Sequence, residues 1–395
     1  MPAMLGESLR QRYPATGELA FLNHAAVAPI SADAAEKLRW YADQASSKAY
    51  VDAGWYRQID RVRGLAAELI GAHDADDPAA YSGDEIAFVP NTSTGLALVA
   101  QGLDWRAGDR VVITDVEYPA NRYPWEHLAR TRGVEMVEVA QRDDRRIHAE
   151  DVIAAIDGRT RVVSLSSVQF ASGHRIGLRA ISDAVRAVDG YLCVDGIQSV
   201  GVLPVDVETD RIDFLAADGH KWLLGPEGAG IFYCRRGLTE RLTPAVVGWL
   251  NMVDAENYLD YRYEFRSDAK RFEPGTWNVP GVLALGASMR LLLDTGIDAV
   301  WSSVEALTAR ACEGLSSKGY RVVTPRDDPG ERSGIVVFEK PGAAQAEHRR
   351  IANDLEKQGV VIALRGGRLR VSPHAYNTAE DIDRLIDGLP IGGGR

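Results

Sequence analysis

The segment Ala217-Asp218-Gly219-His220-Lys221-Trp222-Leu223-Leu224-Gly225-Pro226 decides the fold of this chain, because it places a lysine directly after a buried strand. The strand is predicted from the apolar run that ends at Ala217. Lysines are rarely buried, and burial lowers the pKa of a lysine amine so that it can attack carbonyl compounds. Lys221 is therefore a candidate catalytic residue, although an isolated lysine in a loop more often lies on the surface.

A second signal lies upstream, where Val194-Asp195-Gly196-Ile197-Gln198 ends another predicted strand. Ligands of open α/β sheets bind at the carboxyl ends of the strands. An aspartate there can pair with the pyridine nitrogen of pyridoxal 5′-phosphate (PLP) and keep the ring protonated as an electron sink. Asp195 alone could simply cap a helix. An aspartate and a lysine at two strand ends together favour a PLP site.

A third signal is Pro90-Asn91-Thr92-Ser93-Thr94-Gly95, which lies between a predicted strand and a predicted helix. Hydroxyl groups and free backbone N–H groups at the start of a helix suit a phosphate. An ordinary helix N-cap is the alternative explanation for this segment.

Strand-like and helix-like patterns alternate around these motifs. Short apolar runs such as Arg110–Thr114, Arg161–Ser166 and Gly230–Cys234 are typical of strands buried on both faces. This alternation predicts an α/β fold with a mostly parallel sheet covered by helices on both faces, followed by a smaller α+β domain. We expect residues 20–262 to form a large PLP-binding domain, and residues 1–19 and 263–395 to form the small domain.

Composition excludes several classes of protein. The 395 residues are 46% apolar and 26% charged, with a formal net charge of −11 that argues against nonspecific nucleic-acid binding. The three cysteines include no CxxC pair, so neither a disulfide framework nor a metal site is expected. No signal peptide or membrane span is evident, and we expect a cytoplasmic protein without a membrane partner.

The chain resembles the class V PLP-dependent enzymes of fold type I, the cysteine desulfurase type, and this resemblance implies that the mostly parallel sheet of the large domain has seven strands. The resemblance runs from about Phe21 to Leu389 and, within the family, is nearest to the isopenicillin-N-epimerase-like branch and its aminotransferases. It rests on seven motifs in order: Phe21-Leu22-Asn23-His24-Ala25-Ala26, Asn91-Thr92-Ser93-Thr94-Gly95, Glu117-Tyr118-Pro119-Ala120-Asn121, Asp195-Gly196-Ile197-Gln198, Gly219-His220-Lys221, Gly275-Thr276-Trp277-Asn278 and Arg370-Val371-Ser372.

The resemblance implies a role for each motif around the cofactor. Lys221 carries the Schiff base and moves the α-proton, and Asp195 pairs with the pyridine nitrogen. Gln198 hydrogen-bonds the phenolic oxygen, and Tyr118 stacks on the ring unless it is a core tyrosine. Three residues hold the phosphate: Thr92, Ser93 and His220. Thr276 reaches the phosphate of the neighbouring subunit, which implies a homodimer with shared active sites.

The remaining implied residues lie around the substrate, a small amino acid or amine. Arg370 binds the α-carboxylate, a role that the nearby Arg365 could share; the alternative for Arg370 is a structural ion pair. Gln169 is placed near the oxygen side of the cofactor, with a register uncertain by about one residue. Two residues of the first motif, Asn23 and His24, are expected to line the pocket, and a capping role is equally open for His24.

The chain departs from the desulfurases at several positions. The segment 361–374 contains no cysteine that could accept sulfur, and Tyr118 stands where desulfurases have a histidine. Asp218 replaces a small hydroxyl residue near the phosphate, and we leave it out of the predicted site because an anion there is unfavourable. These departures favour an aminotransferase or epimerase acting at the α-carbon. The alternatives are a β-eliminating C–S lyase and a non-catalytic PLP-fold protein.

Overall fold

A computed structural model of the chain describes residues 2–74, 76–77 and 79–392. The helices are α1 (Pro2–Arg10), α2 (Ala32–Lys48), α3 (Trp55–Ile70), α4 (Thr92–Gly102), α5 (Tyr123–Arg132), α6 (Ala149–Ala154), α7 (Arg179–Arg186), α8 (Val279–Thr295), α9 (Ile297–Ser317), α10 (Gln345–Lys357) and α11 (Ala379–Gly388). The strands are β1 (Ala20–Phe21), β2 (Ile86–Val89), β3 (Arg110–Thr114), β4 (Glu135–Val139), β5 (Thr160–Ser166), β6 (Tyr191–Asp195), β7 (Phe214–Asp218), β8 (Gly230–Cys234), β9 (Arg321–Val322), β10 (Val336–Glu339), β11 (Val360–Val361), β12 (Ala363–Arg365) and β13 (Arg368–Val371).

The central sheet has seven strands in the order β2-β8-β7-β6-β5-β3-β4. Strands β3 to β7 run parallel to one another, and β8 is antiparallel to both of its neighbours, β2 and β7. The predicted α/β fold with a mostly parallel seven-stranded sheet is therefore confirmed. Strand β4 was not predicted from the sequence, because Glu135 and Glu138 interrupt its apolar pattern at this edge of the sheet.

Both faces of the sheet are covered, as the unbroken apolar strands predicted. All five residues of β7 are buried. Leu215 and Ala217 pack into one core cluster, while Phe214 and Ala216 pack into the cluster on the other face.

Helix α4 approaches β7 very closely. A Cβ atom at Gly95 would lie 2.7 Å from the Cβ of Ala216, so glycine is the residue that permits this contact. The contact brings the N-terminus of α4 beside the end of β7. The three predicted motifs that carry Thr92, Asp195 and Lys221 therefore meet at the carboxyl edge of the sheet.

A smaller unit follows the central sheet. Its four strands pair antiparallel in the order β12-β13-β10-β9, and β1 pairs in parallel with β11. A separate core cluster forms here, in which Leu22 from the start of the chain packs with residues such as Leu307 and Leu385. The division into 20–262 against 1–19 with 263–395 stays a prediction. Among the helices described, none combines the length and apolarity needed to cross a membrane.

Candidate active site

A cavity of about 320 Å³ lies at the carboxyl edge of the sheet. The loops after β3, β6 and β7 form its floor, and strands β12 and β13 of the smaller unit close one side. Eight of the twelve site residues predicted from the sequence line it: Thr92, Ser93, Tyr118, Asp195, Gln198, His220, Lys221 and Arg370.

Lys221 and Asp195 are both buried in this cavity, and burial makes the charged form of each side chain energetically unfavourable. Burial lowers the pKa of Lys221 to about 8, although the carboxylate of Asp195 opposes this shift. Burial likewise raises the pKa of Asp195 to about 7, against the Ile197 N–H that donates to its Oδ1 over 3.1 Å. The lysine is therefore an available nucleophile near neutral pH, and Asp195 can share a proton with a basic nitrogen.

Tyr118 follows β3 and covers the lysine. Its ring centroid lies 5.4 Å from Nζ of Lys221, and its ring meets that of Phe170 edge to face at 5.1 Å. The side chain is 45% exposed, so Tyr118 is a wall of the cavity and not a core residue.

The start of α4 supplies polar groups at another side of the cavity. The side chain of Asn91 caps the helix, accepting a hydrogen bond from the Thr94 N–H over 2.9 Å. Thr92 accepts a hydrogen bond at Oγ1 from the Asp218 N–H over 3.0 Å, which leaves its own hydroxyl hydrogen free to donate. Asp218 was left out of the predicted site, yet it lines the cavity, with Oδ2 2.9 Å from Nδ1 of His220.

Arg370 on β13 is buried without a carboxylate partner. Its Nη1 donates to the carbonyl of Phe170 over 3.0 Å, while Nε and Nη2 are enclosed and unpaired. Burial and the neighbouring Arg365 lower its pKa to about 9. In the part of the chain that the structure describes, Arg370 forms no ion pair, so a structural ion pair does not explain it. An enclosed guanidinium with two free donors fits an incoming carboxylate.

Gln198 is held by two protein contacts. Its Oε1 accepts from Nε1 of Trp222 over 2.8 Å, and its Nε2 donates to the carbonyl of Ala25 over 3.2 Å. An amide nitrogen has two hydrogens, so one donor of Gln198 remains for a ligand.

Gln169 lies away from the cavity, contrary to the sequence prediction. Its Nε2 donates to the buried carboxylate of Glu117 over 2.9 Å, and Phe170 lines the cavity in its place. The correction amounts to one residue: Gln169 and Phe170 lie at the start of a turn, in which the Gly173 N–H donates to the Gln169 carbonyl over 2.8 Å.

Asn23 and His24 do not line the cavity, contrary to the sequence prediction. His24 is fully buried between the Ser372 carbonyl at 2.8 Å and the Tyr376 hydroxyl at 2.6 Å. Burial holds its pKa well below its usual range. The residues that follow it, Ala25 to Val27, line the cavity instead. His24 therefore braces the first motif from behind.

Thr276 is exposed and does not line the cavity of its own chain. Its loop is anchored by Glu273, whose Oε1 and Oε2 accept from Nη1 and Nη2 of Arg63 over 2.5 and 2.6 Å. Glu273 also accepts from Nε1 of Trp277 over 2.7 Å. The loop is thus held rigidly in a position where Thr276 faces outward.

No cysteine lines the cavity. Cys193 and Cys234 are buried elsewhere, Cys312 is half-buried, and burial raises the pKa of each thiol. No group of residues that could hold a metal ion occurs in the described part of the chain.

The residues present fit PLP. The cavity combines an available amine, an acid for a ring nitrogen, an aromatic wall, a helix N-terminus with free hydroxyls and an unpaired guanidinium.

The chain is similar in sequence to known enzymes along most of its length. The sequence model of the class-V aminotransferases matches residues 22–385. The cysteine desulfurase of Haloferax volcanii is 31% identical over 365 residues, which cover 88% of this chain and 79% of that protein. An uncharacterised aminotransferase of Bacillus subtilis is 28% identical over 389 residues, covering 98% and 97% of the two chains.

Solved structures show the same fold. A cysteine desulfurase from Thermococcus onnurineus, solved in its apo form, superimposes with a TM-score of 0.86 at 24% identity, covering 96% of both chains. The cystine C–S lyase C-DES, solved with its product cysteine persulfide, gives a TM-score of 0.85 at 22% identity, covering 97% of this chain and 100% of that one. A variant of C-DES with glycine covalently linked to its PLP cofactor superimposes equally well, at a TM-score of 0.85.

Proposed function

Since the chain belongs to the class-V aminotransferase family and is a PLP-dependent member of it, we propose that it is a lyase that eliminates the β-sulfur group of a cysteine-type amino acid. This reverses the order of the two alternatives drawn from the sequence, where an aminotransferase or epimerase came first. The support for the change is that relatives across most of the chain, at 27 to 31% identity, are named cysteine desulfurases.

Two buried cationic groups line the same cavity, and this arrangement is the observation that supports chemistry at the α-carbon of a substrate. Lys221 presents an amine with a lowered pKa, and Arg370 presents two unpaired donors. A substrate whose carboxylate binds the guanidinium has its α-carbon held near the amine. An amino acid satisfies both groups at once.

The sulfur would leave directly into solution. A desulfurase mechanism that stores sulfur on a protein thiol needs a reactive cysteine at the site, and no cysteine lines this cavity. We therefore infer elimination without a protein persulfide.

Individual residues would hold PLP as follows. Lys221 would bind it covalently, Asp195 would hold a proton at the pyridine nitrogen, and Tyr118 would cover the ring. The phosphate would be held by Thr92, Ser93 and His220. When bound, PLP supplies the electron sink that stabilises the carbanion at the α-carbon.

Lys221 would then transfer one proton in two steps, first from the α-carbon and then to the leaving sulfur. Arg370 would fix the substrate carboxylate, and the Lys221 amine, released from the cofactor when the substrate amino group takes its place, would take the proton from the α-carbon. The electron pair of the broken C–H bond forms the Cα–Cβ double bond as the Cβ–S bond breaks. The ammonium of Lys221 returns its proton to the departing sulfur. Hydrolysis of the remaining enamine gives pyruvate and ammonium.

Transamination is the second candidate, favoured by the absence of a sulfur-accepting thiol in the cavity. The same Lys221 amine would return the proton to the cofactor side of the substrate nitrogen, so that a keto acid leaves.

Product analysis separates the two candidates. The purified protein is loaded with PLP and incubated with L-cysteine, L-cystine and a panel of other L- and D-amino acids. The lyase proposal expects pyruvate, ammonium and sulfide or persulfide in equal amounts, with no second keto acid required. Keto-acid formation that stops after one turnover without an added amino acceptor would replace it with transamination.

Two variants serve as controls for that experiment. Lys221→Ala is expected to abolish every product, because it removes the base. Cys312→Ser, which changes the most accessible cysteine, is expected to leave turnover unchanged. Loss of sulfide release in Cys312→Ser would contradict elimination without a protein persulfide. Binding of PLP with no turnover of any amino acid would support the non-catalytic alternative.

A homodimer with shared sites is part of the same proposal. Thr276 is exposed beside several exposed aromatic side chains, including Trp249 and Tyr258, and a second copy of the chain could cover this face. Thr276 would then reach the phosphate in the partner's cavity.

A further inference from the structure

The phosphate side of the cavity contains an unusual carboxylate. Asp218, the last residue of β7, is only 5% exposed and lies next to the start of α4. Its Oδ1 accepts from the Gly219 N–H over 2.7 Å, and its Oδ2 lies 2.9 Å from Nδ1 of His220. An anion at this place opposes a phosphate unless it has a compensating role.

The contact with His220 decides where the histidine carries its hydrogen. The carboxylate oxygen lies off the axis of the ring nitrogen, so the contact is electrostatic more than a directed hydrogen bond. An unprotonated Nδ1 would place its partial negative charge 2.9 Å from a carboxylate oxygen, and these two negative centres would repel each other even off axis. Nδ1 therefore carries a hydrogen, and in a neutral ring Nε2 is then an acceptor.

A neutral His220 in this tautomer cannot donate to a phosphate, which has only acceptor oxygens. Only the doubly protonated ring offers a donor at Nε2. Among the residues that form this side of the cavity, Thr92 and Ser93 are uncharged and His220 is the available cation. The other titratable groups that line the cavity are Tyr118, Asp195, Lys221, Arg365 and Arg370.

We infer that Asp218 is a positioning residue that holds His220 as an imidazolium facing the phosphate of bound PLP. The inference rests on the cofactor site of the proposed function. An anion beside the phosphate would by itself oppose phosphate binding. Here the Asp218 carboxylate stabilises the positive charge on His220, and that charge attracts the phosphate. Phosphate binding then depends on a proton that a serine at position 218 would not require.

The variant Asp218→Asn provides a sharp test. Its Oδ1 can still accept from the Gly219 N–H, while its Nδ2 amide hydrogens would face His220. That arrangement favours a lone pair on Nδ1 and a hydrogen on Nε2, so a neutral ring could donate to the phosphate. Asp218→Ser serves as a second variant if the asparagine disturbs folding. Asp206→Asn, which removes a half-buried carboxylate outside the cavity that also accepts from backbone N–H groups, is the matched control.

The probe is 4′-deoxypyridoxine 5′-phosphate, which lacks the aldehyde and therefore forms no bond with Lys221. Nitrogen NMR of ¹⁵N-histidine-labelled protein, with His220→Gln to assign the signal, reports which ring nitrogens carry hydrogen in the complex. We expect both nitrogens of His220 to be protonated in the wild type and in Asp206→Asn at neutral pH. We expect a neutral ring with hydrogen on Nε2 in Asp218→Asn.

Affinity gives an independent readout. If phosphate binding requires the additional proton, the wild type's preference for the phosphorylated probe over its unphosphorylated form should fall with rising pH, by up to about tenfold per pH unit. Asp218→Asn should lose this dependence. A neutral His220 in the wild-type complex, or an equally charged one in Asp218→Asn, would overturn the inference. If the phosphorylated probe does not bind at all, the proposed cofactor site itself fails.

Discussion

Nη1 and Nη2 of Arg63 lie 2.5 and 2.6 Å from Oε1 and Oε2 of Glu273, and the two side chains are 1% and 2% exposed. Glu273 also accepts from the Phe88 N–H over 2.6 Å, so this fork joins α3, β2 and the Thr276 loop. Neither residue carried a signal in the sequence, because a buried ion pair between distant positions has no local pattern.

Breaking this fork should destabilise the protein strongly. Glu273→Gln leaves the guanidinium of Arg63 buried without its counter-charge, which costs about 3–5 kcal/mol. Chemical denaturation monitored by tryptophan fluorescence measures the change in the free energy of unfolding. Asp383→Asn, which breaks the exposed pair with Arg310, is the control and should cause no measurable change. Equal stability of the two variants would contradict the assignment.

The pH dependence of cofactor loading should report the amine of Lys221. The pKa of about 8 implies that the rate at which apo protein captures PLP rises with pH and levels off above about 8. The carboxylate of Asp195 stabilises the ammonium, so Asp195→Asn should move this midpoint to lower pH. Stopped-flow absorbance follows the capture. A midpoint near that of an ordinary lysine would show that Lys221 is not in the buried environment described.

Arg370 should affect substrate binding and stability in opposite directions. Arg370→Lys keeps the charge but loses the fork, and should lower kcat/KM by about a hundredfold. Arg370→Met should abolish turnover yet raise the melting temperature of the apo protein, because it removes a buried unpaired charge. Steady-state kinetics and calorimetry provide the two readouts. A less stable Arg370→Met would indicate a structural role.

Acid should destabilise the fold through His374. Its Nδ1 accepts from the Ala375 N–H over 2.8 Å and its Nε2 lies 3.1 Å from the Trp222 carbonyl, so the buried ring is neutral. Burial lowers its pKa to about 4. Below pH 6.5 the unfolded chain binds a proton that the folded chain does not, so stability falls as the pH drops.

The expected loss from His374 between pH 6.5 and about 4 is about 3 kcal/mol. His374→Gln should show a shallower fall, because one titrating group is removed, while His24 retains its own contribution. Denaturation at a series of pH values measures the slope. The exposed His127→Gln should keep the wild-type slope, and an unchanged slope in His374→Gln would refute the prediction.

Shared sites in a homodimer can be tested by complementation. Lys221→Ala and Thr276→Ala should each be inactive or weak, since one lacks the base and the other lacks the partner's phosphate contact. If Thr276 serves the neighbouring cavity, a mixed dimer has one site that lacks both groups and one that is intact. Mixing unfolded variants and refolding them should therefore restore up to about a quarter of wild-type activity, by random pairing. No recovery, with dimers present by sedimentation, would place Thr276 elsewhere.

The sequence by itself determined the architecture and the cofactor. Apolar runs that alternate with helical patterns indicate a mostly parallel sheet covered on both faces, and the structure confirms that prediction. The motifs at Lys221, Asp195 and Thr92 predicted a common site because each stands at the end of a strand or the start of a helix. Eight of the twelve predicted residues lie in one cavity for that reason.

Only the tertiary structure decided which side chain of a motif faces the cavity and what its unpaired atoms can accept. In the folded protein Gln169 lies in a buried hydrogen-bond network, and Phe170 lines the cavity instead. His24 is buried against Ser372, while Ala25 to Val27 line the cavity. The tertiary structure also places the Asp218 carboxylate beside His220 and leaves Arg370 without a carboxylate partner. These relationships depend on the packing of segments far apart in the chain, and such packing distances leave no periodic trace in a sequence.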